Sequence, residues 1–171
     1  MTSAVSYELT ESVATITLDD GKVNVLGPDM QSSINEALDR AEKDSAKAVV
    51  IAGNQRVFSG GFDLAVFQSG DPKAALGMLG GGFELSGRCL TFSVPVIMAA
   101  TFAGDEALAG GWLDEIVEAD RVLARAQEVA AEAASTLHAG AHLATKLKAR
   151  ESALKAIQAG IDGLATEFTL G

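Results

Sequence analysis

The segment 57–64, V-F-S-G-G-F-D-L, carries the residue types best suited to chemistry in this chain. Gly60 and Gly61 permit backbone geometry that a Cβ forbids, and they allow a ligand to approach the main chain closely. Asp63 before Leu64 predicts the start of a helix, whose free N–H groups favour negative charge. Such a turn can aim amide hydrogens at a developing oxyanion. A tight strand-to-helix turn without any chemistry fits this spacing equally well.

The apolar pattern around this segment predicts the elements that must position it. Val13–Leu18 alternates as a half-buried strand does, and Pro28 opens an apolar stripe at helical spacing. Ala48–Ala52 and Val94–Ala100 are continuous apolar runs, which are typical of strands buried in a parallel layer. Strands and helices that alternate in this way indicate an α/β fold.

The last third of the chain is predicted to be helical. One face stays apolar from Val122 to Leu137. A narrower seam, suited to a partner helix, steps by three and four residues through Leu154, Ile157, Ile161, Leu164 and Phe168. Packing within the chain is the first interpretation of this seam, and a contact between subunits is the second.

Composition restricts the class of protein. The chain has 171 residues, of which 48% are hydrophobic, so it has the size and apolar content of one globular domain. Its net charge of −10 disfavours nucleic acid as a partner. Cys89 is the only cysteine, which excludes an intrachain disulfide and a cysteine metal cluster. Because neither a signal peptide nor a membrane-length apolar run is visible, we expect a cytoplasmic protein without membrane contacts.

Four segments resemble, in the family's own order, motifs of the crotonase superfamily, the enoyl-CoA hydratases and isomerases. G-K-V-N-V-L at 21–26 resembles its early substrate loop, and F-S-G-G-F-D-L at 58–64 resembles its oxyanion loop. V-P-V-I-M-A-A at 94–100 is similar to the strand that leads to the active-site centre. A-G-G-W-L-D-E-I-V at 109–117 is similar to the late A-G-x-x-D-E-V element.

This resemblance implies a crotonase-like α/β fold of the ClpP/crotonase type, with stacked β-β-α units and C-terminal helices. Residues 1–101 would form the N-terminal part of the core, including both loops. Residues 102–171 would form a C-terminal helical region. The resemblance also implies a homo-oligomer, either a trimer or a hexamer.

The resemblance implies that the partner is an acyl-CoA thioester, with coenzyme A as part of the substrate and no separate cofactor. The backbone N–H of Phe62 would be one of two donors to the thioester oxygen. Other residues of the two loops would line the substrate: Val23, Leu26, Ser59, Gly61, Asp63 and Leu64. The implied reaction is hydration of a 2-enoyl-CoA or isomerisation of its double bond.

The sequence departs from the family after Thr101. A crotonase continues from the V-P-V-I-M-A-A strand into a G-x-A-x-G-G-G turn, which supplies the second amide, and catalytic carboxylates often follow. This chain continues with F-A-G-D-E-A at 102–107, which resembles a region well downstream in the family. We therefore predict an internal deletion, an incomplete core and weak or absent hydratase activity. The alternatives are a non-catalytic acyl-CoA-binding or assembly subunit and an inactive truncated form of a hydratase.

One segment imitates the missing turn. G-G-G-F-E-L at 80–85 has glycines followed by a glutamate, but it precedes the strand that the turn should follow. We therefore predict that it has no catalytic role. Its glycines are expected to weaken and interrupt a helix that begins at Pro72.

Two further clusters could carry chemistry. Lys146, Lys148 and Arg150 are the densest group of cations, and they could either bind the phosphates of coenzyme A or form a solvated helix face. His138 and His142 are four residues apart, as metal ligands on one helix face are. They have no third ligand, so no metal site is predicted.

Overall fold

The computed structural model describes residues 4–54, 56–100, 108 and 113–168. Its elements are β1 (Val5–Thr10), β2 (Val13–Leu18), α1 (Pro28–Lys43), β3 (Ala48–Ala52), α2 (Leu64–Gln68), α3 (Pro72–Thr91), β4 (Val96–Ala99), α4 (Val122–Thr136), α5 (Ala139–Ala149) and α6 (Glu151–Phe168). A short 3-10 turn, Ala119–Arg121, precedes α4. Across these ranges, no helix combines the length and apolarity that crossing a membrane requires.

The four strands form one sheet in the order β1-β2-β3-β4. β1 pairs antiparallel with β2 through a tight turn, whereas β2, β3 and β4 run parallel to one another. Parallel neighbours need crossover connections. α1 provides the first crossover, and the segment that contains α2 and α3 provides the second.

Helices cover both faces of the sheet. α1 and α3 bury large aliphatic side chains on one face, where Ile16 and Leu38 are fully buried. α4 covers the other face with small residues, and its Ala126 and Ala130 pack against the sheet. The three layers place the ends of β2 and β3, from which both candidate loops emerge, on a rigid base.

The predicted elements of the first third are confirmed. Val13–Leu18 is β2, α1 begins at Pro28, and all five residues of Ala48–Ala52 are buried in β3. The prediction that β2 is only half-buried is wrong, because helices cover both faces of the sheet and bury every residue of β2 except Thr17. β4 is shorter than the predicted strand, because it begins only after Pro95, which has no N–H to donate to a neighbouring strand.

β1 occupies a segment for which we predicted no strand. Val5, Tyr7 and Leu9 alternate there with polar residues, so the period-two signal is present in the sequence. The pairing of Val5 with Leu18 brings the start of β1 to the core.

α3 shows that the predicted interruption by glycines 80–82 is wrong. The helix is continuous from Pro72, and the carboxylate of Asp71 caps it by accepting hydrogen bonds from the N–H groups of Lys73 and Ala74. One face is buried through Ala75, Met78, Leu85 and Cys89. Because tertiary packing supplies most helix stability in proteins, this buried face holds the glycines in helical geometry.

The C-terminal helices pack onto the rest of the chain. α6 lies along α3, where a Cβ on Gly80 would be 4.0 Å from Leu164 Cδ1. At Leu164 the apolar seam therefore packs within the chain, and its part in a contact between subunits stays a prediction. The proposed boundary between residues 1–101 and 102–171 stays a prediction.

The predicted join at Thr101 lies outside the described residues, as do 109–112 of the late motif. β4 is the last strand in the described part of the chain, and Met98 on it is 55% exposed.

Candidate active site

The two loops singled out from the sequence lie against each other. We call residues 20–26 the early loop and residues 57–63 the glycine loop. Gly60 N–H donates to the Val23 carbonyl at 2.6 Å, and Ser59 Oγ donates to the Asn24 carbonyl at 2.7 Å. Main-chain and side-chain bonds therefore join segments that are more than thirty residues apart.

The peptide group between Gly61 and Phe62 is fixed by its carbonyl, which accepts a hydrogen bond from Leu26 N–H at 2.8 Å. Every described peptide bond is trans, and in a planar trans peptide the C=O and N–H point to opposite sides. The Phe62 N–H therefore points away from the early loop, and it donates to no described residue. A fixed and unpaired amide of this kind is the group that stabilises an oxyanion.

The two glycines of the loop are required for different reasons. Gly61 has a φ of +90° and open space where a Cβ would lie, so backbone conformation alone favours glycine there. At Gly60 the limit is packing, because a Cβ would lie 3.1 Å from Val23 Cγ2.

The ring of Phe62 lies against α3 at Gly82. A Cβ on Gly82 would be 2.5 Å from Phe62 Cε1, so only glycine leaves room for the ring in this position. Glu84, the carboxylate that follows the glycine run, is exposed. Residues 80–85 therefore lie within α3 and do not form a turn. Their glycines leave the space in which the Phe62 ring of the glycine loop packs.

Gln31 of α1 links the early loop to α3. Its buried side-chain amide donates to the carbonyls of Leu26 and Met78, both at 2.9 Å. Its oxygen lies beside Gly81, where a Cβ would collide with it. Our sequence reasoning missed Gln31 and Gly82, because only the folded chain brings α1, α3 and the glycine loop together.

The carboxylates of the two loops bind backbone N–H groups. Asp63 Oδ1 accepts from Ala65 N–H at 2.9 Å and caps α2, as predicted for a helix start. Asp20 Oδ1 accepts from the N–H groups of Lys22 at 2.7 Å and Asn24 at 3.0 Å. Burial raises the pKa of the Asp20 carboxyl, but the N–H groups of the early loop outweigh this effect and lower it below its usual value. Both carboxylates therefore hold backbone rather than stand free as bases.

Two large apolar side chains of these segments are exposed: Val23 by 49% and Leu64 by 68%. All the predicted site residues lie on these joined loops or at the start of α2: Val23, Leu26, Ser59, Gly61, Phe62, Asp63 and Leu64.

For two of the three cations at the end of α5, the structure differs from both predictions, a phosphate site and a solvated helix face. Lys146 is buried, and its Nζ donates to the carbonyls of Phe92 at 2.9 Å and Val94 at 3.0 Å. Burial, and then the charge of Arg150, lower the pKa of Lys146 to about 8. Arg150 itself donates to the Leu90 carbonyl. Two of the three cations therefore hold the end of α3, instead of facing solvent or a phosphate.

One pocket in the described part of the chain lies away from the loops. It has a volume of about 300 Å³ and lies where the α4–α5 junction meets the start of β4. His142 lines it, with an Nε2 that has no partner among the described residues, whereas His138 caps α5 through Nδ1. The loops are the better candidate for the active site, because hydrogen bonds fix a free N–H donor there. Within the described ranges, no three potential metal-binding side chains come together.

The fold is that of the crotonase superfamily, which confirms the predicted fold class. A probable enoyl-CoA hydratase of Mycobacterium tuberculosis H37Rv is similar with a TM-score of 0.94 and 39% identity, over 98% of this chain and 97% of that chain. An enoyl-CoA hydratase of Mycobacterium ulcerans has a TM-score of 0.92 and 41% identity, over 97% of this chain and 100% of that chain.

A model of the enoyl-CoA hydratase/isomerase family matches residues 8–101, which is more than half of the chain. The chain therefore belongs to the enoyl-CoA hydratase/isomerase family. The match ends at Thr101, whereas the two solved structures cover 97–98% of this chain. A peroxisomal fatty acid beta-oxidation multifunctional protein of Arabidopsis thaliana is 41% identical over 59 residues, which are 34% of this chain. The matched part spans only 8% of that relative's length.

Proposed function

We propose that this chain binds acyl-CoA thioesters and polarises the thioester carbonyl with the Phe62 N–H. The observation that supports this most strongly is the Gly61–Phe62 peptide, whose carbonyl is bound by Leu26 N–H while its own N–H has no acceptor among the described residues. Loss of one such donor typically costs about 2.7–4 kcal/mol of transition-state stabilisation. The reaction that this supports is hydration or isomerisation of an enoyl-CoA.

In this proposal the acyl chain lies over Val23 and Leu64, the two exposed apolar side chains of the site. Leu26, Ser59, Gly61 and Asp63 shape the surface around the thioester. Coenzyme A enters as part of the substrate, and no further cofactor is needed.

A second candidate is a non-catalytic acyl-CoA-binding or assembly subunit, and an inactive truncated hydratase would have the same properties. The observation that favours it is the state of Asp20 and Asp63, whose carboxylates both bind backbone N–H groups. The loops thus provide one donor without a free base beside it. We therefore expect this chain to bind acyl-CoA and to turn it over weakly or not at all.

Titration calorimetry with butyryl-CoA and a turnover assay with crotonyl-CoA, run on the same preparation, test the proposal. Binding of butyryl-CoA that is stronger than binding of coenzyme A alone is the expected result. Equal affinity for the two ligands would refute acyl recognition. Crotonyl-CoA turnover comparable to that of an intact family member would refute the second candidate.

Self-association belongs to the same proposal, because the family resemblance implies a trimer or a hexamer. The exposed Met98 on the last described strand supplies apolar surface for such a contact. Light scattering behind size-exclusion chromatography measures the mass, and a stable monomer would contradict this part of the proposal.

A further inference from the structure

Asn24 is a fully buried polar residue at the centre of the two loops, with a relative exposure of 0%. Its Nδ2 donates to the carbonyl of Leu18 at 2.9 Å and to that of Phe58 at 3.1 Å. Its Oδ1 accepts from Asp20 N–H at 3.0 Å. A buried amide that is satisfied on both sides is costly to replace, because each lost partner leaves a buried polar group unpaired.

Two of these bonds are local, to Leu18 and Asp20, whereas the third reaches Phe58, 34 residues later in the chain. Leu18 ends β2, Asp20 begins the early loop, and Phe58 lies in the glycine loop after β3. Asn24 has a φ of +53°, a left-handed conformation that asparagine tolerates better than most residues with a Cβ. The residue thus combines an uncommon backbone conformation with a side chain that reaches two other segments.

The backbone of Asn24 continues the connection towards the free amide. Its carbonyl accepts from Ser59 Oγ at 2.7 Å, and the same Oγ accepts from Gly61 N–H at 3.1 Å. Two residues further along the early loop, Leu26 N–H binds the Gly61 carbonyl. Both polar groups of Gly61 are therefore held by atoms whose positions depend on Asn24.

We propose that Asn24 is a positioning residue that sets the direction of the Phe62 N–H. The side-chain amide fixes the conformation of the early loop and the distance between this loop and Phe58. The early loop in turn presents Leu26 N–H to the Gly61 carbonyl, and planarity transmits that orientation to the N–H on the other side of the peptide. This inference rests on the proposed role of the Phe62 amide and adds the residue that orients it.

Asn24→Gly tests the inference, because glycine keeps the left-handed backbone and removes only the side-chain bonds. The measurement is the infrared carbonyl band of butyryl-CoA labelled with ¹³C at the thioester carbon, recorded free and bound. In the parent chain we expect a shift to lower frequency on binding, since a hydrogen bond weakens the C=O bond. In Asn24→Gly we expect this shift to be lost while the affinity for coenzyme A alone is unchanged.

Asn35→Ala is the matched control. Asn35 is a half-buried asparagine of α1 that accepts a hydrogen bond from Arg88 and donates one to the Gln31 carbonyl, and neither partner belongs to the two loops. Its removal lowers stability without touching the early loop, so the carbonyl shift should persist. If the shift is lost in this variant as well, general destabilisation explains the result and the role of Asn24 is refuted.

The other outcomes separate this inference from the proposed function. A full shift in both the parent and Asn24→Gly refutes the positioning role and leaves the Phe62 proposal standing. Bound ligand without any shift in the parent refutes the Phe62 proposal and this inference together. If circular dichroism shows that Asn24→Gly does not fold, Ser59→Ala replaces it. This substitution removes only the hydrogen bond to the Asn24 carbonyl and the hydrogen bond from Gly61 N–H. An undiminished shift in Ser59→Ala then refutes the inference.

Discussion

The glycine loop and the turn between α2 and α3 share one local pattern. Each contains a serine, a glycine with positive φ and an aspartate that caps the next helix: Ser59, Gly61 and Asp63 in the loop, and Ser69, Gly70 and Asp71 in the turn. In both, the serine Oγ accepts a hydrogen bond from the N–H two residues later, at 3.1 Å and 3.3 Å.

The two segments differ in where their remaining bonds go. Ser69 N–H and Gly70 N–H donate to the carbonyls of Ala65 and Phe67 in the preceding helix α2. Ser59, Gly60 and Gly61 instead bond to the early loop, which lies more than thirty residues earlier. The same local chemistry therefore reverses the chain in one place and fixes an amide in the other. Docking against a second loop is what makes a candidate site out of an ordinary turn.

The largest predicted effect comes from removing the centre of that docking. Asn24→Asp keeps the shape of the side chain but places a carboxylate against the carbonyls of Leu18 and Phe58. We expect the free energy of unfolding to fall by about 3–5 kcal/mol, because the substitution removes the Nδ2 donor and leaves a buried negative charge facing carbonyl oxygens. Urea unfolding measures this loss. The same substitution at the half-buried Asn54, whose Nδ2 makes a single bond of 3.3 Å to Lys22, should cost much less. Equal losses at the two positions would contradict the comparison.

The next effect comes from the seat of the Phe62 ring. Gly82→Ala would place a Cβ 2.5 Å from Phe62 Cε1, so the ring must move, and we expect a loss of roughly 1–3 kcal/mol from overpacking. Gly87→Ala is the matched control on the same helix, where a Cβ meets open space. It should stabilise the chain by about 0.5–1 kcal/mol, because alanine loses less backbone entropy in a helix. Thermal unfolding measures both, and a stabilising Gly82→Ala would show that the ring does not occupy this seat.

The most direct comparison of the two turns is the pair Gly61→Ala and Gly70→Ala. Both residues have positive φ and open space where a Cβ would lie, so each substitution should cost roughly 1–2 kcal/mol of stability. Only Gly61→Ala should also weaken butyryl-CoA binding, since it alone disturbs the Phe62 peptide. Calorimetric titration of the two variants decides this, and equal affinity for the thioester would remove the distinction between the turns.

The smallest effect on ligand binding is expected for the cations on α5. The pKa of Lys146 is about 8 in the folded chain, below the ordinary value of 10.5. Between these values the unfolded chain binds more protons at Lys146, so this residue makes the free energy of unfolding rise with pH, whereas Cys89 and Tyr7, whose pKa values are raised in the folded chain, act in the opposite direction. Lys146→Met should lose that rise and keep the affinity for butyryl-CoA. Urea unfolding across the pH window, with calorimetry beside it, tests both statements. A large loss of affinity would restore the phosphate interpretation of the cluster.

The sequence predicted what depends on local pattern. Periodicity placed β2, α1 and β3, and the position of Asp63 predicted the cap of α2. It failed where contacts between distant segments decide the outcome. The glycines of α3 were predicted to break the helix, because the packing of Gln31 and Phe62 against them is not visible in the sequence. Lys146 was grouped with surface charges, because its contact with the end of α3 appears only in the folded chain. The roles of the loop residues stay predictions, since they depend on a ligand.

The strand order of the sheet also determines when the site can form. Each strand pairs with the one that precedes it along the chain, so the sheet can grow in the order in which the ribosome delivers it. The hairpin of β1 and β2 needs only local contacts, which form fast. The early loop, however, stays without its partners until β3 has joined and the glycine loop has emerged behind it. An amide aimed by both loops therefore forms only after β3 has paired with β2, and its formation reports that the first half of the chain has been assembled correctly.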